Sequence, residues 1–162
     1  MKTAPHPSVA ASVGRGMLAG VAGTGVMTAV QKLVEMPLTG RRESYVPAML
    51  AERLLPIGRQ RGKRRRQLNY VAHFSLGLMW GAAYGFAAHK GLRGQRAVGA
   101  VFGAVYPGDV LFSAAVGVYD LRKWTAQSTA IDVAGKFVQA EATGVIYDNL
   151  LADRRAEEAV PA

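Results

Sequence analysis

The stretch NYVAHFSLGLMWGAAYGFAAH, residues 69–89, decides the fold that this sequence predicts. It contains no Asp, Glu, Lys or Arg, and it has the length of about 20 residues that a helix needs to cross a bilayer. Its glycines Gly77, Gly81 and Gly85 recur every fourth residue, a spacing that lets a second helix approach closely within lipid. The stretch therefore predicts a central membrane-spanning helix that packs through its glycines.

Three further apolar windows, at residues 16–34, 97–118 and 130–151, flank this helix in the chain. Two of them repeat the four-residue glycine spacing, with Gly16, Gly20, Gly99 and Gly103. We therefore predict an all-α integral membrane bundle of four transmembrane helices, spanning residues 14–152. The first window also fits a secretory signal peptide after Arg15, but it lacks a clear A-x-A cleavage site and further spans follow it.

The segments outside the four windows are polar. Residues 1–13 are expected to be disordered, and residues 153–162 form a charged tail. In the basic loop 35–68, Pro37, Gly40 and Pro47 are expected to end any helix that continues from the first span.

A short amphipathic helix is predicted within that loop, at residues 47–55. Proline suits its first turn, and one face can collect Met49, Leu50, Leu54 and Leu55. An apolar face on a short helix beside a membrane predicts that this helix lies along the membrane surface.

A run of basic residues, RQRGKRRR at residues 59–66, follows this helix. Its side chains are predicted to contact anionic lipid head groups: Arg59, Arg61, Lys63, Arg64, Arg65 and Arg66. Residues 41–66 hold nine Lys and Arg, whereas the turn at residues 90–96 holds three. Because positive charge marks the cytoplasmic side, we predict a multi-pass protein of the bacterial inner (plasma) membrane with loop 35–68 in the cytoplasm.

Polar side chains within the spans form a candidate buried network: His73, Asp109, Asp132, Lys136, Gln139 and Glu141. Intramembrane ionisable groups are expensive, so they indicate either interhelical hydrogen bonding or a transport or sensing site. Asp132 and Lys136 are four residues apart and are expected to pair on one helix. Pro107 beside Asp109 favours a kink in the third span, with a broken helix at a binding site as the alternative.

Several functional classes have no support in the sequence. The chain has no cysteine, which excludes disulfides, Cys-ligated zinc and thiol catalysis. No metal-ligand spacing and no nucleophile motif is present, so we predict no enzyme activity, catalytic residue, metal or cofactor. The net charge of +9 also fits nucleic-acid binding, but no recognition motif accompanies it.

The second half of the chain resembles the YagU-like family of small bacterial inner-membrane proteins. The resemblance rests on His73-Phe74-Ser75, Tyr84-Gly85, Gly99, Gly103, and the stretch DVAGK from Asp132 to Lys136. In the last motif the family has a Gly-His pair, and here Lys136 stands in place of the histidine. The resemblance implies a multi-span inner-membrane protein without known catalysis.

These features predict a small integral membrane protein with a structural, sensing or accessory role. Its expected partners are the lipid bilayer, anionic head groups, and a second copy or another membrane protein. One alternative is a proton-coupled or small-solute transporter that uses the buried polar residues. Another is a basic soluble helical protein that binds nucleic acid or an acidic partner.

Overall fold

The computed structural model describes residues 7–151, and every regular element in that range is helical. The helices are α1 (Val9–Val30), α2 (Met36–Thr39), α3 (Val46–Leu54), α4 (Gly62–His89), α5 (Gly94–Ala115) and α6 (Ala126–Ile146). π-Helical turns extend α1 over Gln31–Glu35 and α6 over Tyr147–Leu151, and a 3₁₀ turn occupies Leu121–Lys123. The prediction of an all-α fold is confirmed.

Helix α1 holds the central place that the sequence pattern assigned to α4. It forms the largest helix–helix interface with α4 and the next largest with α6, while α5 packs on α4 and α6. Its buried residues are all Gly, Ala, Ser or Thr except Met27. Small side chains on two faces let α1 contact two helices closely at once.

Glycines of α1 and α4 meet backbone to backbone. A Cβ on Gly20 would lie 2.7 Å from the Gly81 Cα, and a Cβ on Gly16 would lie 2.8 Å from the Gly85 Cα. Gly77 faces the Thr24 side chain at the same interface. Any larger side chain would force these two helices apart, because the neighbouring atoms are backbone atoms that cannot rotate away.

The remaining glycines divide between packed and open positions. Gly23 lies against Thr143 of α6, and Gly144 lies against Val98 and Tyr84. Gly99 and Gly103 have no atom within 4 Å of a Cβ built on either, so they pack no helix within the described residues 7–151. They lie on the exposed side of α5, which corrects the expectation that their spacing marks a helix–helix contact in this chain.

The ends of α1 differ from the sequence expectation. Residues 9–13 are helical, because the Ser8 side chain caps the helix by accepting from Ala11 N–H at 3.2 Å. Beyond α1 the chain stays helical through Pro37, which falls in the first turn of α2, and stops at Gly40 with φ of 67°. Pro37 follows directly on the π-helical turn Gln31–Glu35 and does not end the helix. The predicted disorder of residues 1–6 and the predicted tail at residues 153–162 lie outside the described residues.

Helix α3 is fixed against the start of α4 by one buried amide. Asn69 accepts from Ala48 N–H at 3.1 Å and donates to the Ser44 carbonyl oxygen at 2.9 Å. The buried side of α3 consists of Ala48 and Leu50. Leu54, which the prediction placed on the apolar face of this helix, is exposed. The buried face of α3 differs from the predicted face because α3 packs on protein.

Within residues 7–151, two helical stretches are long and apolar enough to cross a membrane, Val9–Thr39 and Gly94–Ala115. Helix α5 runs unbroken through Pro107. Helix α4 begins with the basic run, and α6 contains Asp132, Lys136, Gln139 and Glu141. The all-α class with two candidate membrane spans is therefore confirmed, and a set of four spans remains a prediction.

Candidate functional site

An open cleft of about 380 Å³ lies at the end of the bundle where α1 ends and α6 begins. Its walls come from α1, the 41–47 connection, the first half of α4, the end of α5 and the first half of α6. Four of the six candidate network residues line it: His73, Asp109, Asp132 and Lys136. Its volume falls in the range of roughly 300–1,000 Å³ that is typical of small-molecule sites.

The inner part of the cleft contains an ion pair between two helices. Lys136 Nζ of α6 lies 3.0 Å from Asp109 Oδ2 of α5, and the two side chains are only 16% and 8% exposed. The same Nζ lies 5.7 Å from the centre of the Trp80 ring, within range of a cation–π contact. The pair neutralises both charges where water is scarce.

Asp132 has a different partner from the one that its spacing predicts. Tyr106 of α5 donates its hydroxyl to Asp132 Oδ2 at 3.0 Å. Lys136 instead pairs across the interface with Asp109. The predicted pair of Asp132 with Lys136 is therefore absent, because α5 presents a hydroxyl to one and a carboxylate to the other.

A chain of hydrogen bonds joins His73 to the middle of the bundle. Gln139 donates to Thr24 Oγ1 at 3.0 Å, and Thr28 donates to the Thr24 carbonyl oxygen at 2.7 Å. Because the Thr28 hydrogen is used in this way, its oxygen is left to accept from His73 Nε2–H at 3.2 Å. In that neutral tautomer, Nδ1 of His73, a residue that lines the cleft, is an acceptor.

Glu141 does not join the other five network residues. It lies further along α6 and accepts from Gln95 at 2.8 Å at an exposed position. Gln139 is buried beside Thr24 and reaches the cleft only through the hydrogen-bonded threonines.

The rim of the cleft contains two further ion pairs. Lys32 Nζ lies 3.6 Å from Glu43 Oε1, and Arg41 lies 3.7 Å from Glu35. Tyr70 donates to Glu43 at 2.7 Å and also contacts Lys32 Nζ. These side chains are more exposed than the inner pair, so each rim pair is worth less to stability.

Tyr119 contributes a neutral phenol to the same cleft, just beyond the end of α5. Burial raises the pKa of its hydroxyl above the ordinary value, and the carboxylates Asp132 and Asp109 act in the same direction. The phenol therefore stays protonated at neutral pH and adds no negative charge.

Sequence reasoning missed several residues that complete the site. Thr24 and Thr28 continue the four-residue row of small residues that begins with Gly16 and Gly20, which predicts a face that meets another helix but does not assign them to this site. Tyr106 stands directly before Pro107 in the segment that drew attention to Asp109. Within residues 7–151, no group of three or more His, Cys, Asp and Glu side chains is arranged to hold a metal ion.

The last four basic residues of the run, Lys63 to Arg66, lie in the first turns of α4, because the helix begins at Gly62 and not near residue 69. Arg65 is engaged inside the protein, 3.3 Å from Glu52 and over the Tyr45 ring at 5.2 Å. The other five basic side chains are exposed: Arg59, Arg61, Lys63, Arg64 and Arg66.

Comparison with known proteins identifies no relative: no family model, no curated protein and no solved structure matches this chain.

Proposed function

We infer that this chain is a small multi-pass membrane protein in which α1, α4, α5 and α6 cross the bilayer. Its role is sensing or accessory: the cleft takes up a small solute from one side of the membrane. The YagU-like resemblance agrees with this inference and stays a prediction.

The distribution of polar and apolar side chains carries the inference. The buried polar residues are Ser12, Thr24, Asn69, Ser113, Gln139 and Thr143. Large apolar side chains are exposed on all four long helices, among them Leu18, Val71, Met79, Phe86, Leu111, Phe112, Phe137 and Val145. A soluble bundle rarely exposes this many large apolar side chains, and a lipid solvent would cover them.

The two most apolar helices are also poorly covered by protein. Only 28% of the apolar window in Val9–Thr39 and 22% of that in Gly94–Ala115 is buried inside the bundle. The core helix of a soluble protein would be mostly buried, so this low coverage favours lipid as the missing neighbour.

Helices α4 and α6 fit as the other two spans because the polar side chains within their apolar stretches bond to neighbouring helices. Lys136 is paired with Asp109, and Gln139 is bonded to Thr24. The outer sides of these helices carry Met79, Phe86, Phe137 and Val145. Polar groups that pair inside a bundle are compatible with insertion, whereas unpaired ones are not.

The cleft and the basic start of α4 lie at the same end of the bundle, since α1 ends there and α4 begins there. The positive-inside rule assigns this end to the cytoplasm. The cleft would then open toward the cytoplasm or the inner leaflet.

Sensing is preferred to transport because the other half of the bundle is filled with side chains. Trp80, Tyr84, Ala88, Val98, Val101, Ala140 and Tyr147 form a buried cluster there. A transporter would have to open that cluster to give its cleft a second exit. Transport remains the second candidate, since charged groups inside the cleft are what a solute path would need.

Membrane insertion is tested by a carbonate wash and by labelling of single cysteines, which the cysteine-free chain allows without background. In spheroplasts, an impermeant maleimide should label Leu92→Cys at once. Gln60→Cys and Gln127→Cys should react only after permeabilisation. Release of the protein by carbonate would overturn the membrane assignment, and labelling of Gln60→Cys from outside would overturn the orientation.

The choice between sensing and transport is tested in proteoliposomes. We expect uptake of radiolabelled small amines, amino acids and sodium to equal that of empty liposomes. Flux above that background, lost in Asp109→Asn, would replace the sensing role by transport.

A further inference from the structure

We propose that the cleft binds a small organic cation, an ammonium group attached to a short apolar body, with Asp132 as its counter-charge. This inference rests on the proposed function, because it names the solute class of the same cleft. The preference for a bound cation depends on which charged side chains of the cleft already pair with one another.

The cleft is lined by three basic and four acidic side chains. Each basic group has its own carboxylate: Lys32 pairs with Glu43, Arg41 with Glu35, and Lys136 with Asp109. Three pairs therefore account for all three cations and leave one carboxylate over.

The carboxylate left over belongs to Asp132. Its hydrogen-bond partner is the neutral Tyr106 hydroxyl, and in the described part of the chain no Lys, Arg or His nitrogen lies within 4 Å of it. A half-buried carboxylate without a counter-ion is costly, and a bound cation would remove that cost. The cleft thus has a place for one positive charge.

Neighbouring groups suit an ammonium better than a metal ion. The Nδ1 atom of His73 can accept an N–H, and the Tyr119 ring lines the same cleft for cation–π contact. Metal ions need several charged or carbonyl ligands, and within residues 7–151 no three His, Asp or Glu side chains are arranged to hold a metal ion. Apolar walls from Met27, Leu76, Ile131 and Val138 would hold a hydrocarbon body.

Calorimetric titration of the full chain in phosphatidylglycerol nanodiscs tests the proposal, with benzylammonium as the probe and phenylacetate as the matched anion. We expect benzylammonium to bind and phenylacetate not to bind. Asp132→Asn should weaken benzylammonium binding about tenfold or more, since a charge-assisted hydrogen bond is lost. Asparagine keeps an oxygen for Tyr106, so the fold should survive, and thermal unfolding checks this.

Glu141→Gln is the matched control, because Glu141 lies outside the cleft and bonds to Gln95. It should bind benzylammonium as the wild type does. Equal binding by the wild type and Asp132→Asn, or preference for phenylacetate, would overturn the proposal.

The ammonium could come from a soluble amine or from a lipid head group, and a second nanodisc separates these sources. If phosphatidylethanolamine occupies the cleft, benzylammonium binding should weaken in nanodiscs of that lipid. Undiminished binding there identifies a soluble amine as the ligand.

Absence of binding by wild-type protein that passes the carbonate and labelling tests would refute the cation site alone. Failure of those two tests would instead refute the membrane assignment. The two failures are therefore distinguishable.

Discussion

Lys136 Nζ and Asp109 Oδ2 lie 3.0 Å apart, and this ion pair joins α6 to α5 in the inner part of the cleft. Both side chains are largely shielded, so each depends on the other for its charge compensation.

Lys136→Met should lower the free energy of unfolding by about 3–5 kcal/mol, because it leaves Asp109 charged and without its partner in a shielded position. The double variant Lys136→Met with Asp109→Leu should recover most of that loss, since no charge remains. Thermal unfolding in one detergent measures both. Equal losses in the single and double variants would show that the packing, not the pairing, matters.

Gly81→Ala should destabilise the protein by about 1–3 kcal/mol, because the new methyl group would overlap the Gly16 backbone at the α1–α4 interface. Gly103→Ala is the matched control, with no atom within 4 Å of the new Cβ. It should be neutral or stabilising by up to about 1 kcal/mol, as alanine favours helix. Similar unfolding temperatures for both variants would argue against the glycine interface.

Asn69→Leu should release α3 from α4, since both hydrogen bonds of the Asn69 amide are lost. At about 1 kcal/mol for each bond, local opening should rise roughly tenfold or more. Trypsin cleavage at Arg53 would report this opening. Gln67→Leu, at an exposed position of the same helix, serves as control, and equal cleavage of both variants would contradict the role of Asn69.

Neutralising the exposed basic side chains should reduce the retention of anionic lipid. We expect a variant with Gln at Arg59, Arg61, Lys63, Arg64 and Arg66 to lose phosphatidylglycerol during purification, because each charge near the surface contributes about 1 kcal/mol. Native mass spectrometry counts the lipids retained.

Arg65→Gln should behave differently from the five-residue variant. Arg65 is held by Glu52 and Tyr45, so its loss should loosen α3 and change lipid retention little. Lipid loss from Arg65→Gln equal to that from the five-residue variant would count against this division of roles.

The sequence predicted the helical class and most helix positions because apolar periodicity and helix-breaking residues are local signals. Glycine spacing was less informative. Gly77 and Gly103 both belong to rows of glycines spaced four residues apart, yet of these two only Gly77 meets another helix. Spacing shows which residues share a face, and it does not show whether that face finds a partner.

The polar network was predictable as a set but not as pairs. His73, Asp109, Asp132 and Lys136 do meet at one cleft, since each lies in the half of its helix nearest the basic loop. The pairing rule for residues four apart on a helix gave the wrong partner for Lys136, because Asp109 on α5 is available to it. Such contacts depend on how the helices pack, which no local pattern records.

The central place of α1 also determines when the bundle can be completed during synthesis. This helix is made first, whereas its partners α4 and α6 end only at residues 89 and 146. The Thr24 side chain meets Gly77 once α4 is in place and gains Gln139 only with α6. A nascent chain stalled before α6 would therefore leave the second face of α1 without its helix partner.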